Sequence, residues 1–271
     1  MQSTLDPATT GTGELAGKVA VISGGSRGIG RAIADRLVAA GAKVVISARN
    51  QESLDSAVEA LNEGGEHAVG VQGDMATAET TAALFARAVE WGGGVDILVN
   101  NVGGAPAGKF LELTDEQLLG AWSLKLLASI RMARQAIPSM TSRGGGAIIN
   151  IIGLGGREPK PGMVAVATTN AAIRAFTKAL SSELAPLGIT INAISPARVH
   201  TERAVELSKQ TAASRGVAVE VVEAEALKAI PTGRLIEPTE IAEVALLLAS
   251  GRVPSLTGAE IVVDGGTSNY M

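Results

Sequence analysis

Short apolar runs alternate along this chain with longer segments whose apolar residues recur at helical spacing, which predicts strands alternating with helices. Val19-Ala20-Val21-Ile22 is the first run, and Lys43 to Ser47, His67 to Gln72, Val95 to Val99, Ala147 to Ile152, Ile189 to Ile194 and Ala259 to Val263 follow it. Helical patterns lie up to Gly41, over Gln51 to Leu61, from about Thr77 to Glu90, through Lys125 towards Met140, and through Phe176 to Leu180. Thr201 to Ala229 is helical, polar and rich in alanine and valine, and Glu240 to Ser250 shows an apolar face at Ile241, Val244, Ala245 and Leu248. Strands that read as unbroken apolar runs are buried on both faces, so the pattern predicts one doubly wound α/β domain over residues 15–271.

The first strand runs into Ser23-Gly24-Gly25-Ser26-Arg27-Gly28-Ile29-Gly30 and then a helix. Small residues there let the backbone turn tightly and approach a diphosphate, towards which the helix N-terminus points its free amides. A glycine turn also joins strands to helices for packing alone, but a strand before it and a helix after it are the context dinucleotide binding requires. Beyond the second strand the usual ribose-binding carboxylate is missing and Ala48-Arg49 stands instead. Arg49 with Arg27 suits a 2′-phosphate and so NADP(H) over NAD(H); as a bland reading, Arg49 is a solvated loop charge. Asp74, beside Met75, can meet an adenine amino group and can equally cap the helix after it, and the two roles are compatible. Asn100-Asn101-Val102-Gly103-Gly104 closes the fourth strand, where ligands lie in open parallel sheets.

Composition narrows the partners. A 46% hydrophobic chain of 271 residues fills one large core, and its 33 glycines sit at the ends of apolar runs. A net charge of −4 without a basic stripe argues against nucleic acid or an acidic membrane surface. With no cysteine and two histidines, thiolate metal sites are excluded and no metal is expected; a cytoplasmic location is the default. No apolar run is long enough to span a bilayer, and residues 1–14 read as a mobile polar tail without signal-peptide character.

With these segments in place the chain resembles the short-chain dehydrogenase/reductase family over nearly its whole length. The motifs that carry the resemblance are SGGSRGIG at Ser23 to Gly30, NNVG at Asn100 to Gly103, Pro196-Ala197 with Thr201 shortly after, Leu256-Thr257-Gly258, and Val263-Asp264-Gly265-Gly266. The resemblance implies a Rossmann-type parallel sheet of about seven strands with helices on both faces. It also implies a cofactor site built from Gly24, Ser26, Arg27, Gly28, Ile29, Gly30, Arg49, Asp74, Met75, Asn101, Gly103, Pro196 and Thr201.

Family members work with a tyrosine acid/base, a lysine, a serine and an asparagine. Counting from Asn100 and from the fifth strand puts Lys125, Gly153, Val166 and Asn170 where asparagine, serine, tyrosine and lysine are expected. The chain's one tyrosine is Tyr270. Lys125 and Asn170 look like an exchange of the family's asparagine and lysine between two helices; the alternative is drift, with Lys125 snorkelling to solvent. Under the functional reading Lys125 holds the ribose, protonates a carbonyl or acts as an amine nucleophile. His200 is a second candidate acid or a loop histidine. Arg157, Glu158 and Lys160 either bind an acidic substrate or form a solvated turn. Trp122 and Met163 are substrate-contact candidates. The leading expectation is an NADP(H) oxidoreductase of a carbonyl or secondary alcohol; the alternatives are a silent subunit beside an active family member and lyase or decarboxylase chemistry through Lys125. The resemblance implies a homodimer or homotetramer, with Tyr270 reaching a neighbour's cleft as a further expectation.

Overall fold

A computed structural model describes residues 13–269. Most of the tail expected over residues 1–14, together with Tyr270 and Met271, lies outside the described residues.

The alternating pattern becomes a seven-stranded parallel sheet in the order β3-β2-β1-β4-β5-β6-β7. Its strands are β1 (Val19–Ile22), β2 (Lys43–Ala48), β3 (Ala68–Gln72), β4 (Ile97–Asn100), β5 (Gly146–Ile151), β6 (Ile189–Pro196) and β7 (Glu260–Val263). The helices are α1 (Gly28–Ala39), α2 (Gln51–Leu61), α3 (Ala78–Gly92), α4 (Asp115–Trp122), α5 (Ala128–Ser142), α6 (Val164–Leu184), α7 (Glu202–Arg215), α8 (Val219–Lys228) and α9 (Pro238–Ala249). Alternate residues of each central strand serve opposite faces. Ile22, Ile46, Val99 and Ile149 pack beneath α1, α2 and α9, while Val21, Val45, Leu98 and Ile148 pack beneath α3 and α5. Full cover on both faces is why these strands read as unbroken apolar runs.

Strand order reverses between β1 and β4, which pair in register with Val21 opposite Leu98. Connections from those two strands depart to opposite sides, so a crevice opens beyond their carboxyl ends. Ser23, Gly24, Asn100 and Asn101 sit there. At the opposite end of the sheet, Asp96 is buried and ties β1 to α5: its carboxylate accepts from Arg143 at 2.8 Å and from the Val19 amide at 2.9 Å. This one buried aspartate is therefore a structural clamp remote from the crevice.

Two expectations are corrected. Asp74 does not cap α3, because Thr77 does so through the Thr80 amide, while Asp74 accepts from the Ala76 amide at 2.9 Å in the preceding turn. The segment from Thr201 to Ala229 is two helices, since Gly216 takes a left-handed conformation (φ 65°) that ends α7. The apolar face of α9 lies in the chain's own core, where Ile241, Ala245 and Leu248 are buried as α9 packs along α1. β7 remains the sheet edge with all of its residues half-buried.

Candidate active site

The crevice is floored by the glycine turn, and Ser23 organises it. Its hydroxyl accepts from the Asn101 amide at 3.0 Å and the Val102 amide at 3.2 Å, so the ends of β1 and β4 are tied together. Asn101 returns the contact, donating from Nδ2 to the Ser23 and Gly24 carbonyls, each at 3.1 Å. Ser47 at the end of β2 accepts from the Gly24 amide and touches Met75 Sδ, both at 3.3 Å. The turn is thus held from three strands, and no side chain caps α1, whose first amides stay free.

This geometry fits a diphosphate. A Cβ at Gly30 would collide with the Gly24 carbonyl oxygen and stand 2.5 Å from Asn101 Nδ2, so the closest approach of turn and helix requires glycine. Thr201 caps α7 and reaches over Gly28, where its Cγ2 would meet an added Cβ at 3.3 Å. Ser26 lies 3.5 Å from the Ser53 hydroxyl on α2, and Arg49 is exposed, its carbonyl accepting from Gln72 at 3.2 Å. Arg27 instead pairs with Glu202 of α7 at 3.2 Å, both side chains largely exposed. A 2′-phosphate reaching Arg27 has to displace that carboxylate, whereas Arg49 has no carboxylate within ion-pair distance among the described residues.

Further along the crevice the structure brings Lys125 and Asn170 together. The long helix expected through Lys125 is broken: residues Ser123–Leu127 form one wide π-helical turn between α4 and α5. Such a turn frees carbonyls from the α-ladder, and the Ser129 hydroxyl donates to that of Lys125 at 2.8 Å. Lys125 lays its chain against Gly103 and donates from Nζ to Asn170 Oδ1 at 2.7 Å and to the Ile152 carbonyl at 3.2 Å. Burial pushes its pKa down to about 8. With two acceptors engaged, an ammonium keeps one donor for a substrate oxygen. Snorkelling to solvent, the alternative for Lys125, is not what the side chain does.

Asn170 is buried in α6 and donates onward to the Gly153 carbonyl at 3.4 Å. Gly153 has φ 147° and ψ 154°, a region essentially confined to glycine. Gly153→Ser is expected to cost about 1–3 kcal/mol, read as a lower urea midpoint at unchanged m-value; an unchanged midpoint would show that the backbone relaxes freely. Val166 lies on the next stretch of α6, close to Gly155 and half-buried.

Other expected residues are not brought to this centre. His200 is exposed and turned to Glu237 at 3.2 Å, and it makes no hydrogen bond to Lys125 or Asn170. Arg157 faces Glu260 at 3.2 Å, and Glu158 accepts from the Asn269 amide at 2.7 Å, so neither points an unengaged charge into the crevice. Trp122 donates to Thr168 at 3.2 Å, which links α4 to α6 beside Val166. Pro196 ends β6 and Ile29 is half-buried against the core of α1.

Sequence reasoning missed a buried relay under the crevice: Asn100 donates to Asn150 at 2.8 Å and Asn150 to Thr177 at 2.9 Å. Asn100 Oδ1 is buried and unpartnered. The available signal was an asparagine inside each of two otherwise apolar strands, where a polar side chain must find a partner. The role of Ser23 was equally legible in principle, as the one hydroxyl between the first strand and its glycines.

A family profile described as Enoyl-(Acyl carrier protein) reductase matches residues 24–268. Among curated proteins, oxidoreductase UcpA of Salmonella typhimurium is 35% identical over 94% of this chain and 96% of its own length. Human dehydrogenase/reductase SDR family member 4 is 33% identical over 95% of this chain and 90% of its own. Among solved structures, the L-sorbose reductase of Gluconobacter frateurii, complexed with NADPH and L-sorbose, superposes with TM-score 0.90 at 33% identity, covering 96% of this chain and 99% of that one.

Proposed function

This chain belongs to the short-chain dehydrogenase/reductase family, and on that premise we propose that it is an NADP(H)-dependent oxidoreductase of a carbonyl or secondary alcohol that works through Lys125. The observation that carries this reading is the ammonium of Lys125 held at the crevice by Asn170 and the Ile152 carbonyl, with a pKa of about 8. Gly153, Val166, Asn170 and Lys125 are read as standing where the family's serine, tyrosine, lysine and asparagine stand, so the usual phenol is absent and the lysine takes over as acid.

The free amides of α1, with Gly24, Ser26, Gly28, Ile29 and Gly30, would hold the diphosphate, and Asn101, Gly103, Pro196 and Thr201 would line the nicotinamide half. Met75 and Asp74 border the adenine side. When bound, the reduced cofactor supplies hydride. Lys125 orients the substrate oxygen with its remaining donor and passes a proton from Nζ to it as the alcohol forms, and the amine regains a proton from solvent. Asn170 and the Ile152 carbonyl keep Nζ in place through both protonation states of the cycle. His200, paired with Glu237 at the surface, is left a role at the edge of α7 and not in proton transfer.

The same reading makes the protein cytoplasmic and a homodimer or homotetramer, assembled in part along β7, whose unpaired edge is half-exposed. Among the described residues no helix is long and apolar enough to cross a membrane. The phenol of Tyr270 as a contribution to a neighbour's cleft lies outside the described residues.

Cofactor titration with a carbonyl panel tests the proposal. NADPH is expected to bind more tightly than NADH, and Arg49→Ala to weaken NADPH about tenfold while leaving NADH unchanged. Equal affinity for both cofactors would overturn the 2′-phosphate assignment. Binding without turnover would instead make the chain a silent partner of an active family member, and borohydride trapping of a carbonyl compound on Lys125 would assign it amine chemistry.

A further inference from the structure

Lys125 stands on one side of the reversal in strand order. Arg49 and Asp74 follow β2 and β3, whereas the contacts of Lys125 are with Gly103, which follows β4, and with the Ile152 carbonyl, which follows β5. A dinucleotide laid across such a reversal, with its diphosphate on the α1 amides, turns its adenosine towards β2 and β3 and its second nucleoside towards β4 and β5. The ring that carries hydride therefore shares its side of the crevice with the Lys125 ammonium.

Among the described residues nothing neutralises that ammonium. Both acceptors on Nζ are uncharged, Asn170 Oδ1 at 2.7 Å and the Ile152 carbonyl at 3.2 Å, and desolvation is what lowers its pKa to about 8. No titratable group on the elements packed around its turn reaches it. Asp115 and Glu116 of α4 and Arg134 of α5 are exposed, and Arg131 of α5 donates to the Ala76 carbonyl at 2.7 Å. Arg174 of α6 and Arg157 after β5 both turn to Glu260, and Lys109 in the loop after β4 pairs with Glu112. An oxidised nicotinamide ring carries a positive charge and a reduced one carries none, while the phosphates are the same in both forms. Like charges repel strongly where water is excluded, so the ammonium discriminates between the two rings.

We propose that Lys125 selects the oxidation state of the cofactor: its ammonium form admits NADPH, and NADP⁺ binds with loss of a proton from Nζ. The proposal rests on the NADP(H) reading of the crevice. It favours carbonyl reduction, because the ammonium form is the one that holds reduced cofactor and has a proton to give. In turnover Lys125 passes that proton to the substrate oxygen as the carbonyl carbon takes hydride, so the charge lost at Nζ equals the charge gained on the ring. The total charge on that side of the crevice stays constant through the step.

Calorimetric titration of the wild-type protein with NADPH and with NADP⁺, from pH about 6.5 to about 9.5, tests this by binding alone. Taking the ratio of the two Kd values cancels the ionisation of the 2′-phosphate, which both forms share. At the acid end NADPH is expected to bind about tenfold or more tightly than NADP⁺. Binding of NADP⁺ lowers the pKa of Lys125, so NADP⁺ should gain affinity as pH rises to about 8 and hold level above it, and the ratio should shrink over that range. Lys125→Met should show a ratio that does not change with pH. Lys125→Arg, charged throughout, should keep the preference for NADPH to the top of the range. The wild-type series decides by itself if either variant fails to fold. A wild-type ratio near one, or one independent of pH, would overturn the proposal and leave an NADP(H) oxidoreductase in place. The wild-type pH dependence persisting in Lys125→Met would also overturn it, since the linked proton would then belong to another group. Binding of neither form would overturn the cofactor reading and the proposal with it, whereas the expected ratios without turnover of any carbonyl would uphold the proposal and fail the reductase reading alone.

Discussion

Replacing Lys125 with methionine is expected to lower kcat/KM for carbonyl reduction by about a hundred- to ten-thousandfold, with the protein still folded. Methionine keeps most of the volume against Gly103 but has no proton to give. The fold survives because the change removes a buried charge as well as its two hydrogen bonds, to Asn170 Oδ1 and the Ile152 carbonyl, and these effects oppose one another. The pH dependence separates an acid from a mere packing residue. With Lys125 as the proposed acid, reduction uses its ammonium, so the wild-type rate should hold steady below pH about 8 and fall above it, while residual activity of the variant shows no such limb. Stability carries the same signature. The folded pKa lies below the ordinary value of 10.5, so between about 8 and 10.5 the unfolded chain binds more protons and stability rises with pH. The cost of burying Lys125 is therefore complete below pH about 8 and fades towards 10.5, and any stability advantage of Lys125→Met should shrink over that window. Wild-type turnover in the variant would remove Lys125 from the chemistry altogether.

Gly30→Ala should abolish measurable dinucleotide binding and destabilise the protein by about 1–3 kcal/mol. The added Cβ has nowhere to go: the Gly24 carbonyl oxygen and Asn101 Nδ2 both occupy its position, and both belong to the bridge that joins β1 to β4. Relief requires α1 to withdraw from the turn, which moves its free amides away from the diphosphate. Fluorescence titration with NADPH and a urea melt read the two effects. Retained affinity with a lower midpoint would mean that the turn yields elsewhere and that the helix amides are not the anchor.

The fold was legible because it depends on patterns that short windows carry. Val19 to Ile22, Val44 to Ile46 and Ile97 to Val99 are apolar without interruption since helices cover both faces, and that pattern survives without any knowledge of the partners. Element bounds shifted by a residue or two where caps decide them, as at α3, whose start is set by Thr77 and not by Asp74. The break between α7 and α8 at Gly216 was hidden inside a continuous helical spacing.

The candidate site divides along a similar line. By itself the sequence determined the glycine cradle, the Arg49 that stands where an acid is usual after β2, and the identities of Lys125, Gly153 and Asn170, because each is fixed by residue identity at a set distance from a strand end. Only the tertiary structure decided which of these residues meet. A π-helical turn brings Lys125 to Asn170 across two helices, while His200 turns to Glu237, Arg27 to Glu202 and Arg157 to Glu260. Local sequence specifies the backbone periodicity, but where a long polar side chain ends depends on which desolvated acceptor or opposite charge lies within its reach. That is a property of elements far apart in the chain: Lys125 and Asn170 are separated by α5, β5 and a turn, and Arg157 and Glu260 by α6, β6 and the helices α7 to α9.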